Sequence, residues 1–126
     1  MRAVLDTSAL IGYETGRLVL ADLPTDGVLP SVVLEELGLG VLSAADALRD
    51  ERRRTFDAAR SSLDVVPVSA DIAVAGAEIR AEGRARGRRY QPLDALIGAT
   101  GRVLGLPVVT QDRGFEGMAG VDVRVL

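Results

Sequence analysis

Cysteine, histidine, lysine, tryptophan and asparagine are all absent from this 126-residue sequence, and phenylalanine and tyrosine supply only two residues each. Without cysteine there is no disulfide framework, no thiolate metal site and no thiol catalysis. Without histidine or lysine, a Ser-His-Asp triad, a Schiff-base lysine, a Walker lysine and imidazole metal ligation are all excluded. Four aromatics are too few for a base-stacking platform of the kind single-strand binding modules use. No apolar run approaches the ~18 residues of a membrane span. Asp6 interrupts the first dozen residues before an apolar signal core can form, so the expected location is the cytoplasm. Any enzymatic chemistry is left to carboxylates, hydroxyls, arginine and a borrowed ion.

What is present suits a folded domain. The chain is 48% apolar, which rules out disorder, and its length predicts one domain over residues 1–126. Ala3-Val4-Leu5 is a short apolar run ending at Asp6, with a helix-like segment after Thr7-Ser8. Val28-Leu29, Val65-Val66-Pro67-Val68, Pro107-Val108-Val109-Thr110 and Val121 to Val125 are further candidate strands. Between them, Ser31 is placed to cap a helix that Gly38 and Gly40 weaken, residues 44–62 show helical spacing, and Ser69-Ala70-Asp71 caps a helix through about Glu82. Pro92 suits a first helical turn, and Leu93, Leu96, Ile97, Thr100, Val103 and Leu104 then form one stripe that Gly105 terminates. Short apolar strands alternating with helices predict an α/β fold, a central, mainly parallel sheet flanked by helices.

Ligands of open parallel sheets bind outside the carboxyl ends of the strands. Asp6 and Asp112 fall at such ends, and Glu36 and Asp94 fall early in helices facing the same edge. Each has an ordinary structural use: Asp6 as a cap, Asp94 against a helix dipole, Asp112 as a turn former, Glu36 as a solvated acid. Four at one crevice are a different matter. Unit charges 4 Å apart repel by ~4 kcal/mol at an effective dielectric near 20. Such a cluster therefore stays partly protonated or holds a cation, and an all-oxygen ligand set suits Mg²⁺ or Mn²⁺.

At these residues the chain resembles the PIN-domain ribonucleases, in particular VapC toxins of VapBC toxin–antitoxin pairs. The resemblance is carried by Leu5-Asp6-Thr7-Ser8-Ala9-Leu10, Glu36-Leu37-Gly38-Leu39-Gly40, Leu93-Asp94-Ala95-Leu96-Ile97-Gly98-Ala99-Thr100, and Leu106-Pro107-Val108-Val109-Thr110-Gln111-Asp112 followed by Phe115. It implies a PIN-like sandwich and Mg²⁺- or Mn²⁺-dependent RNA cleavage leaving a 5′-phosphate and a 3′-hydroxyl. It also implies inhibition by a cognate VapB-type antitoxin and frequent homodimerisation. Asp6 and Asp94 would be the central metal ligands, Glu36 a further ligand or a holder of the attacking water, and Asp112 the fourth acid. Ser8 and Thr110 would be hydroxyls that orient carboxylates. Glu35 rivals Glu36 as the helical acid; Glu36 is preferred because Leu37 follows it and Gly40 lies four residues on. Gly98 stands where the family usually has alanine, a difference of packing.

The net charge of −3 misleads, because setting aside the four clustered acids leaves 14 acidic residues against 15 arginines. Arg52, Arg53 and Arg54, and the set Arg80, Arg84, Arg86, Arg88 and Arg89, are candidate phosphate contacts, unless they form solvated helix faces beside Glu51, Asp57, Glu78 and Glu82. Phe56 and Phe115 are expected in the core, and Tyr13 and Tyr90 are candidates for the cleft edge. Two other functions compete: a non-catalytic, antitoxin-binding or scaffold module, and a nuclease acting on DNA or flap structures. Nothing in the sequence selects one RNA target.

Overall fold

A computed structural model describes all 126 residues. The chain opens with β1 (Arg2–Leu5) and α1 (Thr7–Glu14), passes a 3₁₀ turn at Leu20–Asp22, and continues through β2 (Asp26–Pro30), α2 (Ser31–Ser43), α3 (Asp46–Ser62), β3 (Asp64–Val66), α4 (Ala70–Ala85) and α5 (Pro92–Leu104). β4 (Val108–Thr110), a 3₁₀ turn at Arg113–Phe115 and β5 (Val123–Val125) complete it. The five strands lie in the order β3-β2-β1-β4-β5, and every neighbouring pair is parallel. A parallel sheet needs apolar residues on both faces, because helices cover both. β1 meets that need with Ala3, Val4 and Leu5 all buried. Val4 lies opposite Val28 on one side and Val108 on the other, and burying each such valine contributes roughly 1.5–3 kcal/mol.

The strand order positions the site. From β1 the chain moves outward to β2 and β3, then crosses back to place β4 on the other side of β1. Connections thus diverge at the carboxyl ends of β1 and β4, the crevice where open α/β sheets bind ligands. Asp6 follows β1 directly, its backbone N–H donating to the Val109 carbonyl at 3.0 Å, and Thr110 ends β4.

Local signals account for most boundaries. Ser69 caps α4, its Oγ accepting from the Ile72 N–H at 3.2 Å. Pro92 opens α5, and Gly105 closes it in the left-handed region at φ 67°. Several boundaries differ from the sequence reading, β5 beginning at Val123 and α4 running on to Ala85 among them, and three have a clear local cause. Ser31 is the first residue of α2, and Pro30 takes the cap position while still pairing with Val66 in the sheet. Strand therefore passes into helix with no connector to be capped. β3 stops at Val66, since Pro67 has no N–H to continue the ladder. α2 runs through Gly38 and Gly40 to Ser43, the packing of Val33, Leu37 and Val41 outweighing their low propensity.

α5 buries Ile97 and Thr100 of the expected stripe and packs Leu93 and Leu96 against the core, but its buried face turns toward small residues and away from the last two of the stripe. Ala95, Ile97, Gly98, Ala99, Thr100 and Gly101 are buried, while Val103 and Leu104 remain 41% exposed. Small residues let the helix lie close to its neighbours: a Cβ at Gly98 would sit 2.5 Å from Met118 Sδ, and one at Gly101 would sit 2.6 Å from Val108 Cγ2 and 2.9 Å from the Leu106 carbonyl. The Met118 tip can swing away; the Leu106 backbone cannot. Gly101→Ala is therefore expected to cost ~1–3 kcal/mol through overpacking, lowering the melting temperature by about 4–11 °C. Gly98→Ala should cost less, and thermal melts of both variants check the order.

Candidate functional site

Asp6 is the fixed point of the crevice. It is 5% exposed, and its Oδ2 accepts two hydrogen bonds of 2.8 Å, from Ser8 Oγ and from Thr110 Oγ1. Each hydroxyl is itself oriented by the turn after β4: Ser8 Oγ accepts from the Gln111 N–H at 2.8 Å, and Thr110 Oγ1 from the Asp112 N–H at 2.9 Å. Two backbone amides thus feed two hydroxyls that converge on one carboxylate oxygen. Asp6 occupies the cap position of α1 without making a side-chain cap bond, so its carboxylate serves the crevice and not the helix.

Glu36 reaches the crevice from α2. Its Oε1 accepts from Thr7 Oγ1 at 2.9 Å, whereas the neighbouring Glu35 is exposed. The geometry thus separates the two rivals: Glu36 faces the cluster, and Glu35 points away from it to solvent. Burial raises the Glu36 pKa above its ordinary value, the Thr7 bond opposes that, and the charges of Asp6 and Glu35 add to it. Thr7 is a site residue the sequence reading passed over, although a hydroxyl directly after Asp6 was the available signal.

Asp94 lies in the first turn of α5. Its carboxyl is pushed up to about 6, first by burial and then by the negative charges of Asp6, Glu36 and Asp112, with no hydrogen bond to stabilise the anion. All four acids are therefore within electrostatic reach of one point. Asp112 is the most peripheral: it is exposed, and its Oδ1 accepts from the Gly114 N–H at 2.7 Å, closing the turn after β4. Its structural use as a turn former and its place in the cluster coexist. One oxygen each of Asp6, Glu36 and Asp112 is held by protein donors.

A PIN-domain profile matches residues 3–121. The chain belongs to the PIN-domain family. It is 38% identical over 125 residues to Ribonuclease VapC5 of Mycobacterium tuberculosis, covering 95% of this chain and 92% of that one. Ribonuclease VapC8 of the same species is 37% identical over 102 residues, covering 79% of this chain and 90% of VapC8. Among solved structures, a VapBC-5 member of the VapBC toxin–antitoxin family from M. tuberculosis superposes with a TM-score of 0.87 at 33% identity, over 99% of this chain and 98% of that chain.

Beside Glu36, this PIN domain carries a cleft of about 340 Å³ lined in part by Thr7, Glu36, Glu14 and Arg52, which Asp6, Asp94 and Asp112 do not line. Glu14 and Arg52 were not singled out together from sequence, because α1 and α3 meet only in the fold. Arg52 Nε lies 3.3 Å from Glu14 Oε2, and Thr55 Oγ1 donates to Glu14 Oε1 at 2.6 Å. Arg52 is therefore tied to Glu14, while Arg53 and Arg54 are exposed on α3. Arg86 and Arg88 are committed as well. Arg86 binds Glu82, the Tyr90 hydroxyl and the Gly117 carbonyl, and Arg88 binds the carbonyls of Gly114 and Glu116. Phe115 is in the core and Phe56 packs at its edge, whereas Tyr13 is exposed and Tyr90 is buried. No helix is long and apolar enough to cross a membrane.

Proposed function

We propose that this PIN domain is a VapC-type toxin: a metal-dependent endoribonuclease that cleaves RNA phosphodiesters and is held in check by a VapB-type antitoxin. The observation that carries the reading is Asp94, a carboxyl at the start of α5 left without a protein donor and pushed up to about 6 first by burial and then by the charges of Asp6, Glu36 and Asp112. The all-oxygen donor set suits Mg²⁺ or Mn²⁺. No three of the acids stand together as a ready-made ligand group, so the reading asks for one or two carboxylates at a time, with water and substrate phosphate completing the shell of a Mg²⁺ ion. Asp6 and Asp94 are the direct ligands in this reading, with Glu36 and Asp112 adding charge or holding water. When bound, such an ion lowers the pKa of a water and stabilises charge on the phosphodiester.

The chain's own residues do the positioning. Ser8 and Thr110 hold Asp6 through Oδ2, leaving Oδ1 for the ion. Thr7 holds Glu36 through Oε1, so its second oxygen is available to orient a water for in-line attack. An antitoxin arginine entering this acidic crevice would pair bidentately with a carboxylate and displace the ion. The exposed Leu39 and Leu42 of α2 offer an apolar seat for the rest of such a partner, and the exposed Val74, Val103 and Leu104 of α4 and α5 support self-association into a homodimer.

The test is cleavage of labelled RNA by the purified chain with Mg²⁺, with Mn²⁺ and with EDTA. Cleavage with either metal, lost in EDTA and leaving 5′-phosphate ends, is the expected result. Failure to cut any RNA would favour the scaffold reading, and preferential cutting of DNA would favour the DNA nuclease. A pH profile sharpens the test. Asp94 must lose its proton to ligate, and its pKa is about 6. At sub-saturating Mg²⁺ the rate should fall about tenfold for each pH unit below that value, and excess metal should move the fall to lower pH.

A further inference from the structure

Arg80 and Arg84 of α4 and Arg89 of the following loop line a pocket of about 200 Å³ together with Tyr90, Gln91 and Pro92. No carboxylate lines it. The five arginines of this segment divide cleanly. Arg86 and Arg88 spend their donors on Glu82 and on the carbonyls of Gly114, Glu116 and Gly117, fastening the 86–90 loop to the turn after β4. Arg80, Arg84 and Arg89 make neither salt bridge nor hydrogen bond, so their charge faces the pocket uncompensated. The loop is rigidly seated. Arg88 lies 4.9 Å over the Tyr90 ring, and that ring packs onto α4 at Gly83, where a Cβ would come within 2.8 Å of it. Gly87, at φ 77°, supplies the turn that returns the chain to α4. Pro92, which lines the pocket, is the first residue of α5, the helix whose first turn carries Asp94.

We propose that Arg80, Arg84 and Arg89 form a phosphate-binding pocket that holds the RNA backbone one or more nucleotides from the scissile bond. The inference rests on the ribonuclease reading and extends it. A polyanion approaching four acids is repelled until something attracts it, and three free guanidinia around the residue that opens the Asp94 helix supply that attraction. Guanidinium donors match phosphate oxygens in a bidentate way. The pocket is polar, whereas the apolar groove along Leu34, Leu39, Leu42 and Phe56 lies elsewhere, which assigns the arginines to nucleic acid and not to a protein partner.

The experiment compares wild type with Arg80→Gln, Arg84→Gln, Arg89→Gln and the triple variant, using a labelled 20-nucleotide single-stranded RNA. Affinity is measured by anisotropy in EDTA across a salt series, and KM and kcat with Mg²⁺. Each single variant should weaken binding about three- to tenfold and the triple about a hundredfold, with KM rising and kcat nearly unchanged. The slope of log affinity against log salt should fall by ~0.7 for each phosphate contact removed. Arg60→Gln on α3 is the control and should leave both values unchanged. Melting temperatures should not move, since none of the three guanidinia binds an acceptor. Wild type that neither binds nor cuts the RNA overturns the ribonuclease reading itself. Wild type that does both, with the triple variant its equal, overturns the phosphate pocket alone. A triple variant that keeps its RNA affinity but loses affinity for the antitoxin overturns it also, by assigning the pocket to protein.

Discussion

Asp94→Asn is expected to abolish RNA cleavage and, in the same sample, to raise the melting temperature of the metal-free protein at neutral pH. Folding moves the Asp94 pKa from its ordinary 3.8 to about 6, so the folded state disfavours the anion. The sign follows from that direction. Below pH 3.8 the carboxyl is protonated folded or unfolded and the fold carries no penalty. The penalty grows as pH rises from 3.8 to about 6, where the unfolded carboxyl ionises and the folded one does not, and it is complete by pH 7.5. At ~1.4 kcal/mol for each pH unit its upper limit is ~3 kcal/mol. Solvent reaching this half-buried group reduces that to about 1–2 kcal/mol. Asparagine, neutral throughout, removes the penalty. Its metal-free melting temperature should exceed wild type by about 4–8 °C at pH 7.5 and match it near pH 4. Mg²⁺ should reverse the ranking, because an ion that binds only the folded wild type stabilises it by ~2.7 kcal/mol at a hundred times Kd. Melting curves at both pH values, with and without Mg²⁺, check each arm. Undiminished cleavage by the variant would overturn the assignment of Asp94 to the metal.

Thr110→Val should damage both stability and activity. Valine keeps the shape of threonine in a fully buried position. It removes the donor to Asp6 Oδ2 and the acceptor of the Asp112 N–H. Leaving buried polar groups unpaired costs ~1–3 kcal/mol, a fall of about 4–11 °C in melting temperature. Asp6 would then be held by Ser8 alone, and loss of a hydrogen bond that orients a metal ligand typically costs 10–100-fold in metal affinity or activity. The Mg²⁺ concentration for half-maximal cleavage should therefore rise, which a purely structural defect would not cause. Thr110→Ser, which restores the hydroxyl, should recover most of the activity. A valine variant with wild-type metal dependence would show that the hydroxyl does not position Asp6 for the ion.

Composition, local geometry and motif order were legible in the sequence by itself. The missing histidine, lysine and cysteine confined the chemistry to carboxylates, hydroxyls, arginine and a borrowed ion. The Ser69 cap, the Pro92 start and the Gly105 stop marked helix ends, because each acts through bonds within a few residues. Asp6, Glu36, Asp94 and Asp112 could be singled out because strand ends and helix starts share one edge of a parallel sheet. Which residues use that edge, and how, was decided by contacts between segments far apart in the chain. The strand order that puts β4 beside β1 brings Thr110 to Asp6 across 104 positions. The turn of α2 that carries Glu36 to Thr7 leaves Glu35 in solvent. The stripe of α5 places Leu93, Leu96, Ile97 and Thr100 on the core, but the close approaches at Gly98 and Gly101 are reported by no periodicity of large residues. Among five arginines alike in sequence, folding pairs Arg86 and Arg88 with acceptors and leaves Arg80, Arg84 and Arg89 free. Side-chain type is written into the chain locally, but burial, pKa and the pairing of charges depend on what the fold sets beside each group.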